Sequence, residues 1–273
     1  MTLPFYNYYK NAEADENEYR SSSWPGLKIT AHDQHIRAAS PAVASALSSA
    51  VYGGGMLELD RIFNIYVDRH YRCDDPPRDI ERSLNEWKEQ LDHCAGLLTA
   101  VRLEHTSIQE YTSEAFGLLC CTTAGVSNAA RAGSARTVFD TEGNETVAVE
   151  PLKSTTQSQF MKPYVPGTIN VMLWLNGRMT SGAMVNAIQT AVEAKAAALA
   201  DFGVADSENG LLATGTTTDA IVLAVSQVHE HKPLIAYAGT ATVIGAAIGR
   251  LVYDTIMESL QAGQQWKERN RVK

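Results

Sequence analysis

The sequence predicts an α+β (or α/β) fold, built as a single layered sandwich of a β-sheet with flanking helices. Two observations lead to this prediction. Short apolar runs bounded by turn residues are typical of buried strands, and three longer stretches carry apolar residues at helical spacing. Strands and helices alternate only in the second half of the chain, so the topology of the sheet stays open.

The length and composition are those of a chain that can bury a core. It has 273 residues, of which 45% are hydrophobic, enough for one large domain or two small ones. The segment up to about Gly26 is rich in Tyr, Asn, Glu and Ser without a period. We therefore expect residues 1–40 to form an irregular N-terminal arm, in which the segment up to Gly26 also fits an edge element, and residues 41–265 to form a single domain.

Five stretches are expected to form strands. They are residues 42–51, 62–67, 96–103, 116–122 and 169–175, the second of which also fits a short helix. The last ends at Asn176-Gly177, which predicts a hairpin turn. The polar segment 140–159 is expected to be a loop with one β-hairpin.

Three stretches are expected to form helices. Residues 78–94 follow a Pro-Pro pair, and a second helix, capped by Thr180 or Ser181, runs to about residue 200. The third runs from about residue 242 to 261, and its apolar stripe consists of Ile248, Val252, Ile256 and Leu260.

The charge and hydropathy of the chain exclude several classes of protein. A net charge of −8 argues against a nucleic-acid partner, because phosphate binding needs clustered Lys and Arg. We expect no membrane contact, because no window holds 18 successive apolar residues. The acidic, tyrosine-rich N-terminus is unlike a signal peptide, so we expect a cytoplasmic protein.

The four cysteines, Cys73, Cys94, Cys120 and Cys121, have no CxxC spacing and no histidine at zinc-ligand distance in the sequence. We expect free thiols in a reducing compartment. A nucleophilic Cys121 is the alternative, because this residue adjoins a polar turn and the fold could bring a base to it.

Glycine-rich turns with small polar residues lie at the ends of the apolar runs. They comprise Ser48 to Gly55, Thr122 to Ala129, Gly167 to Asn170, and Ala213 to Ala220. Because glycine lacks a Cβ and tolerates positive φ, backbone N–H groups in such turns approach a ligand closely. Thr, Asn and Asp add short hydrogen-bonding side chains, and we expect the four turns to form one polar pocket.

At these turns the sequence resembles the adenosylcobinamide amidohydrolases of corrinoid salvage. The resemblance runs in order from about Leu47 to Leu260 and rests on several motifs, which include Leu-Ser-Ser-Ala before Gly-Gly-Gly, Thr-Ala-Gly-x-x-Asn-Ala, Gly-Thr-Ile-Asn and Ala-Thr-Gly-Thr-x-Thr-Asp-Ala. No single motif is specific to this family, but the order of the motifs along the chain is. The resemblance implies that residues 41–265 form an amidohydrolase-like domain.

The resemblance implies a reaction and a substrate. The reaction is hydrolysis of the amide bond between the corrin ring and the aminopropanol arm of adenosylcobinamide, which gives adenosylcobyric acid for cobalamin salvage. The partner is then a corrinoid small molecule, whose carboxamides suit turns rich in hydrogen-bonding groups. One position departs from the family: Ala241 stands where a histidine is expected, so no proton transfer by that histidine is carried over.

Three residues are the candidates for catalysis. Asp219 ends a Thr-rich turn before an apolar run, where a carboxylate can serve as a general base or simply cap the turn. Lys195 falls on the core side of its helix, either to meet a carboxylate or substrate amide or to cover apolar surface with its stem. Glu193 lies on a polar stripe of the same helix, as a general base or as part of a solvated face.

The candidates for substrate binding come from the four turns and the strand after the glycine triplet. They are Asn64, Gly54, Thr123, Asn128, Thr168, Asn170, Thr216 and Thr218. The asparagine amides are suited to donate to a developing oxyanion or to a carboxamide of the ligand. Local turn formation is the alternative role of each.

Metal-free chemistry is favoured, and no cofactor or metal site is predicted. Two segments, His32-Asp33-Gln34-His35 and His229-Glu230-His231, have chelating residues, but both are expected at the surface. A further chemical option is autoprocessing between Gly167 and Thr168, which would make Thr168 both nucleophile and, through its amine, base. It predicts two fragments on a denaturing gel.

Two functions of other classes stay open at this point. One is a non-catalytic corrinoid-binding protein that has kept the pocket, and the other is an amidase acting on a different carboxamide substrate. Whether the chain forms a homo-oligomer is also left open by the sequence.

Overall fold

The structure is a computed structural model that describes residues 2–10, 17–139, 145–148, 167–228 and 232–271. The helices are α1 (Tyr6–Lys10), α2 (Pro76–Glu86), α3 (Ser181–Phe202) and α4 (Val243–Arg271). The strands are β1 (Glu18–Arg20), β2 (Lys28–Ala31), β3 (His35–Ser48), β4 (Gly55–Tyr66), β5 (Cys94–Thr99), β6 (Ser107–Thr112), β7 (Gly117–Ala124), β8 (Ala129–Ala130), β9 (Arg136–Phe139), β10 (Glu145–Ala148), β11 (Ile169–Asn176), β12 (Arg178–Met179), β13 (Gly215–Thr216), β14 (Ala220–Val225) and β15 (Leu234–Ile235).

Among the described residues, nine strands form one mixed sheet. Its order is β1-β2-β3-β14-β11-β7-β6, and β4 pairs with β3 and with β5. The pairs β11/β14 and β4/β5 are parallel, and the other pairs in this sheet are antiparallel. With helices packed against it, this sheet confirms the predicted α+β sandwich.

The sheet curls because β3 is long and irregular. Its first half pairs with β2 and its last residues pair with β14, while β4 follows it with a register shift between Ala39 and Ala44. Pro41 lies in this irregular stretch and has no N–H to donate to the ladder. The curl brings β4 and β5 opposite β7 and β11, where side chains of the two halves hydrogen-bond to one another and to the backbone.

Both faces of the central strands are buried. One face packs on α3 and α4 through residues such as Cys120, Leu173 and Leu223. The opposite face, which includes Met172 and Trp174, lies inside the curl. Because successive side chains alternate between two dry faces, these strands are continuous apolar runs in the sequence.

The α3 helix begins and ends at the expected signals, whereas α4 continues to Arg271, beyond its expected end near residue 261. The side chain of Thr180 caps α3 by accepting a hydrogen bond from Ala183 N, and α3 ends at Gly203 with φ of 74°. In α4 the predicted apolar stripe is buried, since Ile248, Val252, Ile256 and Leu260 are all in the core. No helix within the described ranges is long and apolar enough to cross a membrane.

The N-terminal arm is more regular than predicted. Strands β1 and β2 join the main sheet, and Phe5, Leu27 and Ile29 are buried in the core. Residues 18–20, 28–31 and 35–40 are strands rather than irregular backbone, and β1 is an edge strand of the sheet, which fits the alternative of an edge element. The period of β1 and β2 is not visible in the sequence because these two strands are only three and four residues long.

Several other boundaries also differ from those predicted. Asn176-Gly177 does not form a hairpin, because the chain leaves the sheet there and β12 pairs in parallel with β15. The α2 helix ends at Glu86, before Lys88 adopts a φ of 60°. The segment expected at 62–67 as a strand or short helix is a strand as far as Tyr66, the last residue of β4. Of the polar segment 140–159 the structure describes β10, which pairs with β9 just before the segment, and the rest of the segment lies outside the described residues.

Candidate active site

Three of the predicted turns meet at one edge of the sheet. At this edge β7 ends while β11 and β14 begin, and the ladder places Asn170 between Thr123 and Ala220. The turns 125–128, 167–168 and 214–219 therefore lie side by side. The expectation that the turns share one polar site required them to lie close together in this way.

Asp219 and Lys195 form a buried ion pair at this edge. Each side chain keeps only about one tenth of its exposure, at 10% and 9%. Asp219 Oδ2 accepts from Lys195 Nζ and from Thr216 N at 2.9 Å, while Oδ1 accepts from Ile169 N at 3.0 Å and from Thr216 Oγ1. Four hydrogen-bond donors thus hold the Asp219 carboxylate in place, and the carboxylate in turn holds the Lys195 ammonium.

Gly215 makes room for this ion pair. A Cβ at this position would lie 2.5 Å from Asp219 Oδ2 and 2.8 Å from Lys195 Nζ, closer than van der Waals contact allows. The residue was not among the predicted site residues. The signal that points to it is a glycine enclosed by hydroxyl residues in the Thr-Gly-Thr turn.

Threonine and asparagine side chains bind the three turns together. Thr168 Oγ1 donates to Thr218 O at 2.8 Å, and Thr218 Oγ1 donates back to Gly167 O at 2.8 Å. Asn128 Nδ2 donates to Thr217 Oγ1 at 2.7 Å, and Asn128 Oδ1 is buried without a hydrogen-bond partner. Side chains therefore cross-link the turns, in addition to the short β8/β13 ladder that pairs Gly215 with Ala130 and Thr216 with Ala129.

A second polar cluster lies on the opposite face of the sheet, inside the curl. Asn64 Nδ2 donates to Thr123 Oγ1 at 2.9 Å, and Asn170 Nδ2 donates to Asn64 Oδ1 and to Leu98 O, both at 2.8 Å. All three side chains are buried. They join β4 and β5 to β7 and β11, so this contact closes the curl.

The glycine triplet lies next to the site through β14. Ser49 Oγ accepts from Ile221 N at 2.9 Å, two residues beyond Asp219. Gly54 is exposed in this turn, and a Cβ on it would lie 2.7 Å from Ala50 O. Sequence reasoning named Gly54 but missed Ser49, the residue that attaches the turn to the strand.

Glu193 is not brought to the ion pair. It is exposed on α3, while Lys195 is buried two residues later on another face of the same helix. The interpretation of Glu193 as part of a solvated face fits this position.

Cys121 lies in an environment that disfavours a nucleophilic thiolate. It is fully buried inside the curl, and burial raises the pKa of its thiol well above the usual value. The exposed cysteine, Cys73, is on the loop before α2.

The histidine segments do not form a metal site within the described ranges, where no group of three or more His, Cys, Asp or Glu side chains is arranged to hold an ion. His35 is buried, contrary to the expected surface position, because its ring stacks between His32 at 4.4 Å and Trp87 at 3.8 Å. Residues 229–231 lie outside the described residues.

Two surface cavities lie elsewhere, beside α2. One of about 760 Å³ is lined by the loop before α2 and by α2 itself, and one of about 330 Å³ adjoins the ends of β4 and β5. Neither is lined by Asp219 or Lys195.

Comparison with known proteins gives one consistent result. The family model described as adenosylcobinamide amidohydrolase matches residues 22–268. An adenosylcobinamide amidohydrolase of Halobacterium salinarum is 29% identical over 86% of this chain and 88% of its own length. One of Methanosarcina mazei is 28% identical over 77% of this chain and 85% of its own length. The uncharacterized protein MJ1613 of Methanocaldococcus jannaschii is 28% identical over 67% of this chain and 69% of its own length.

Proposed function

Because this chain belongs to the adenosylcobinamide amidohydrolase family and is an amidohydrolase, we propose that it hydrolyses the amide between the corrin ring and the aminopropanol arm of adenosylcobinamide. The products are adenosylcobyric acid and 1-amino-2-propanol. The observation that supports this assignment best is the buried Lys195–Asp219 pair, enclosed by three turns at one edge of the sheet.

Amide hydrolysis makes three chemical demands. A nucleophile must attack the carbonyl carbon, a donor must stabilise the oxyanion, and the leaving amine must receive a proton. A buried ammonium and its carboxylate can meet the last two without a metal ion.

In the proposed mechanism Lys195 donates hydrogen bonds to the substrate amide, and Asp219 holds the Lys195 side chain in position. An ammonium has three N–H donors, and the described contacts of Lys195 use one of them, on Asp219. The remaining N–H groups are available for the carbonyl oxygen or for the departing nitrogen. Asp219 already accepts from four donors, so its main effect is to hold the ammonium in place, directed at the turns.

The turns provide the groups that hold the substrate. Thr168, Thr216, Thr218 and Asn128 offer hydroxyl and amide groups near the ion pair, and Gly54 provides exposed backbone in the turn attached to β14. Carboxamides at the edge of a corrinoid match such donors and acceptors. Asn64, Thr123 and Asn170 act from the opposite face, where they fix the start of β11 and the end of β7.

The proposal is tested by incubating the purified protein with adenosylcobinamide and measuring released 1-amino-2-propanol. We expect stoichiometric release with formation of adenosylcobyric acid, and loss of release in Lys195→Met. Binding of the corrinoid without release would contradict the proposal. Release of ammonia in place of aminopropanol would show that a different carboxamide is the target.

A further inference from the structure

The peptide bond between Gly167 and Thr168 is held by contacts on both sides. The hydroxyl of Thr218 donates to the carbonyl oxygen of Gly167 at 2.8 Å, which is the oxygen that becomes negative when a nucleophile attacks this carbonyl. The hydroxyl of Thr168 donates to the carbonyl of Thr218 at 2.8 Å, so both residues of the bond contact Thr218.

The position of Gly167 admits glycine alone. A Cβ there would lie 2.5 Å from Asn128 Oδ1 and 2.7 Å from Ser127 N. The Gly167 backbone is therefore packed directly against the turn after β7. In the same turn, Gly125 N donates to Thr168 O at 2.9 Å, so this stretch of backbone is held at two consecutive residues.

An acid–base pair lies one residue further along the chain. The next amide, Ile169 N, donates to Asp219 Oδ1 at 3.0 Å, and Asp219 is paired with Lys195. A carbonyl with a hydroxyl donor, a hydroxyl on the following residue and an ion pair beside it are the components that an intramolecular acyl transfer requires.

We propose that the chain cleaves its own Gly167–Thr168 peptide bond. Thr168 Oγ adds to the carbonyl carbon of Gly167, and the Thr218 hydroxyl stabilises the oxyanion that forms. The bond from Gly167 C to Thr168 N then breaks, and the proton lost by the hydroxyl ends on the nitrogen. The product is an ester between Gly167 and Thr168 Oγ, with a free Thr168 amine.

Water completes the reaction. It hydrolyses the ester to a carboxylic acid on Gly167 and restores the hydroxyl of Thr168, so one water molecule is consumed and nothing is oxidised or reduced. The new N-terminal threonine carries a nucleophile and, in its amine, a base, next to the Lys195–Asp219 pair. Its use as the nucleophile on adenosylcobinamide rests on the proposed function, whereas the cleavage does not.

The test is the intact mass of the purified full chain, followed by N-terminal sequencing. We expect two co-purifying polypeptides, the second beginning Thr168-Ile169-Asn170. Thr168→Val should remain one chain, and Thr168→Ser, which keeps a hydroxyl, should still be cut. Thr218→Val should slow cleavage about 100-fold, the effect of losing one oxyanion donor. Thr112→Val, an exposed threonine at the other end of the sheet, should be cut like the wild type.

The results separate the two proposals. Self-cleavage is overturned if the wild-type chain keeps its full mass on prolonged incubation. It is also overturned if Thr168→Val is still cut. Either result leaves the amidase proposal standing. A chain cut at Thr168 that releases no aminopropanol supports self-cleavage and contradicts the proposed substrate. A cut wild type that is active beside an uncut, inactive Thr168→Val supports both.

Discussion

Lys195 of α3 and Asp219 of the turn before β14 form a buried ion pair, although 24 residues separate them in the sequence. The pair ties a helix to the edge where three turns meet. It also attaches to β11, because the carboxylate accepts from Ile169 N. The proposed catalysis and the local structure therefore depend on the same two side chains, and variants must distinguish these effects.

The first prediction concerns Asp219. In Asp219→Asn we expect turnover of adenosylcobinamide to fall at least ~100-fold, because the ammonium of Lys195 loses the group that directs it. The free energy of unfolding should also fall, by about 3 kcal/mol, because a buried charge is left unpaired. Steady-state kinetics and urea unfolding measure the two quantities.

A double variant separates catalysis from folding. Lys195→Met with Asp219→Asn removes both charges and should recover most of the lost stability while remaining inactive. The matched control is Glu193→Gln, which removes a charge from the exposed face of the same helix. This variant should keep wild-type turnover. Wild-type turnover in the double variant would exclude the ion pair from catalysis.

The second prediction concerns Gly215. In Gly215→Ala the new methyl group would collide with both members of the ion pair, so we expect turnover to fall by at least ~10-fold. The measurement is kcat and KM on adenosylcobinamide. Gly182→Ala is the control, because a Cβ there meets only Thr180 Oγ1, at 3.9 Å. Unchanged kinetics in Gly215→Ala would mean that the pair tolerates displacement.

The third prediction concerns the closure of the curled sheet. Asn64→Ala leaves Thr123 and Asn170 without the bonds that Asn64 provides, and we expect the free energy of unfolding to fall by about 3 kcal/mol. Chemical denaturation followed by circular dichroism measures this change. Asn85→Ala, on the exposed side of α2, should change stability by less than about 0.5 kcal/mol.

The fourth prediction concerns acid pH. Burial lowers the pKa of His35 to about 3 and that of His105 to about 4, so both rings are neutral in the folded chain at pH 5. In the unfolded chain they bind protons below about pH 6.5. The free energy of unfolding is therefore highest above about pH 6.5, and it decreases as the pH falls toward the pKa values that the two rings have in the folded chain.

The pH effect can be assigned to a residue. Between pH 7 and pH 5 each histidine should cost about 1 to 2 kcal/mol of stability. His35→Phe keeps a ring stacked on Trp87 but cannot be protonated, so its stability should fall less steeply in the same range. Urea unfolding at both pH values measures the slope, and equal slopes in variant and wild type would contradict the assignment.

The fifth prediction concerns the cysteines. N-Ethylmaleimide should modify the exposed Cys73 and spare Cys94, Cys120 and Cys121 in the folded chain, with no loss of turnover. Burial raises the pKa of Cys94 and Cys120 to about 11, which further suppresses their reactive thiolates. Mass spectrometry of the labelled protein locates the adducts. Inactivation that tracks labelling of Cys121 would restore this residue as a nucleophile.

The sequence by itself determined the elements whose signal is local. The central strands β7 and β11 were predictable because both of their faces are dry, so each forms an unbroken apolar run. Strand β14 is an apolar run of the same kind but was not among the predicted strands. The direction of Lys195 followed from the period of α3, since a step of about 100° per residue places it on the buried side of the helix. The turn motifs were likewise visible as glycine with small polar residues.

Only the tertiary structure decided which of these parts meet. Asp219 and Lys195, or Asn64 and Asn170, become partners through the parallel pairing of β11 with β14 and through the curl of β3, and neither leaves a local trace in the sequence. Glu193 and Lys195 are equally good candidates by residue type, yet burial separates them. The physical reason is that strand pairing and close packing are set by contacts between distant residues, whereas periodicity and turn chemistry are set by neighbours along the chain.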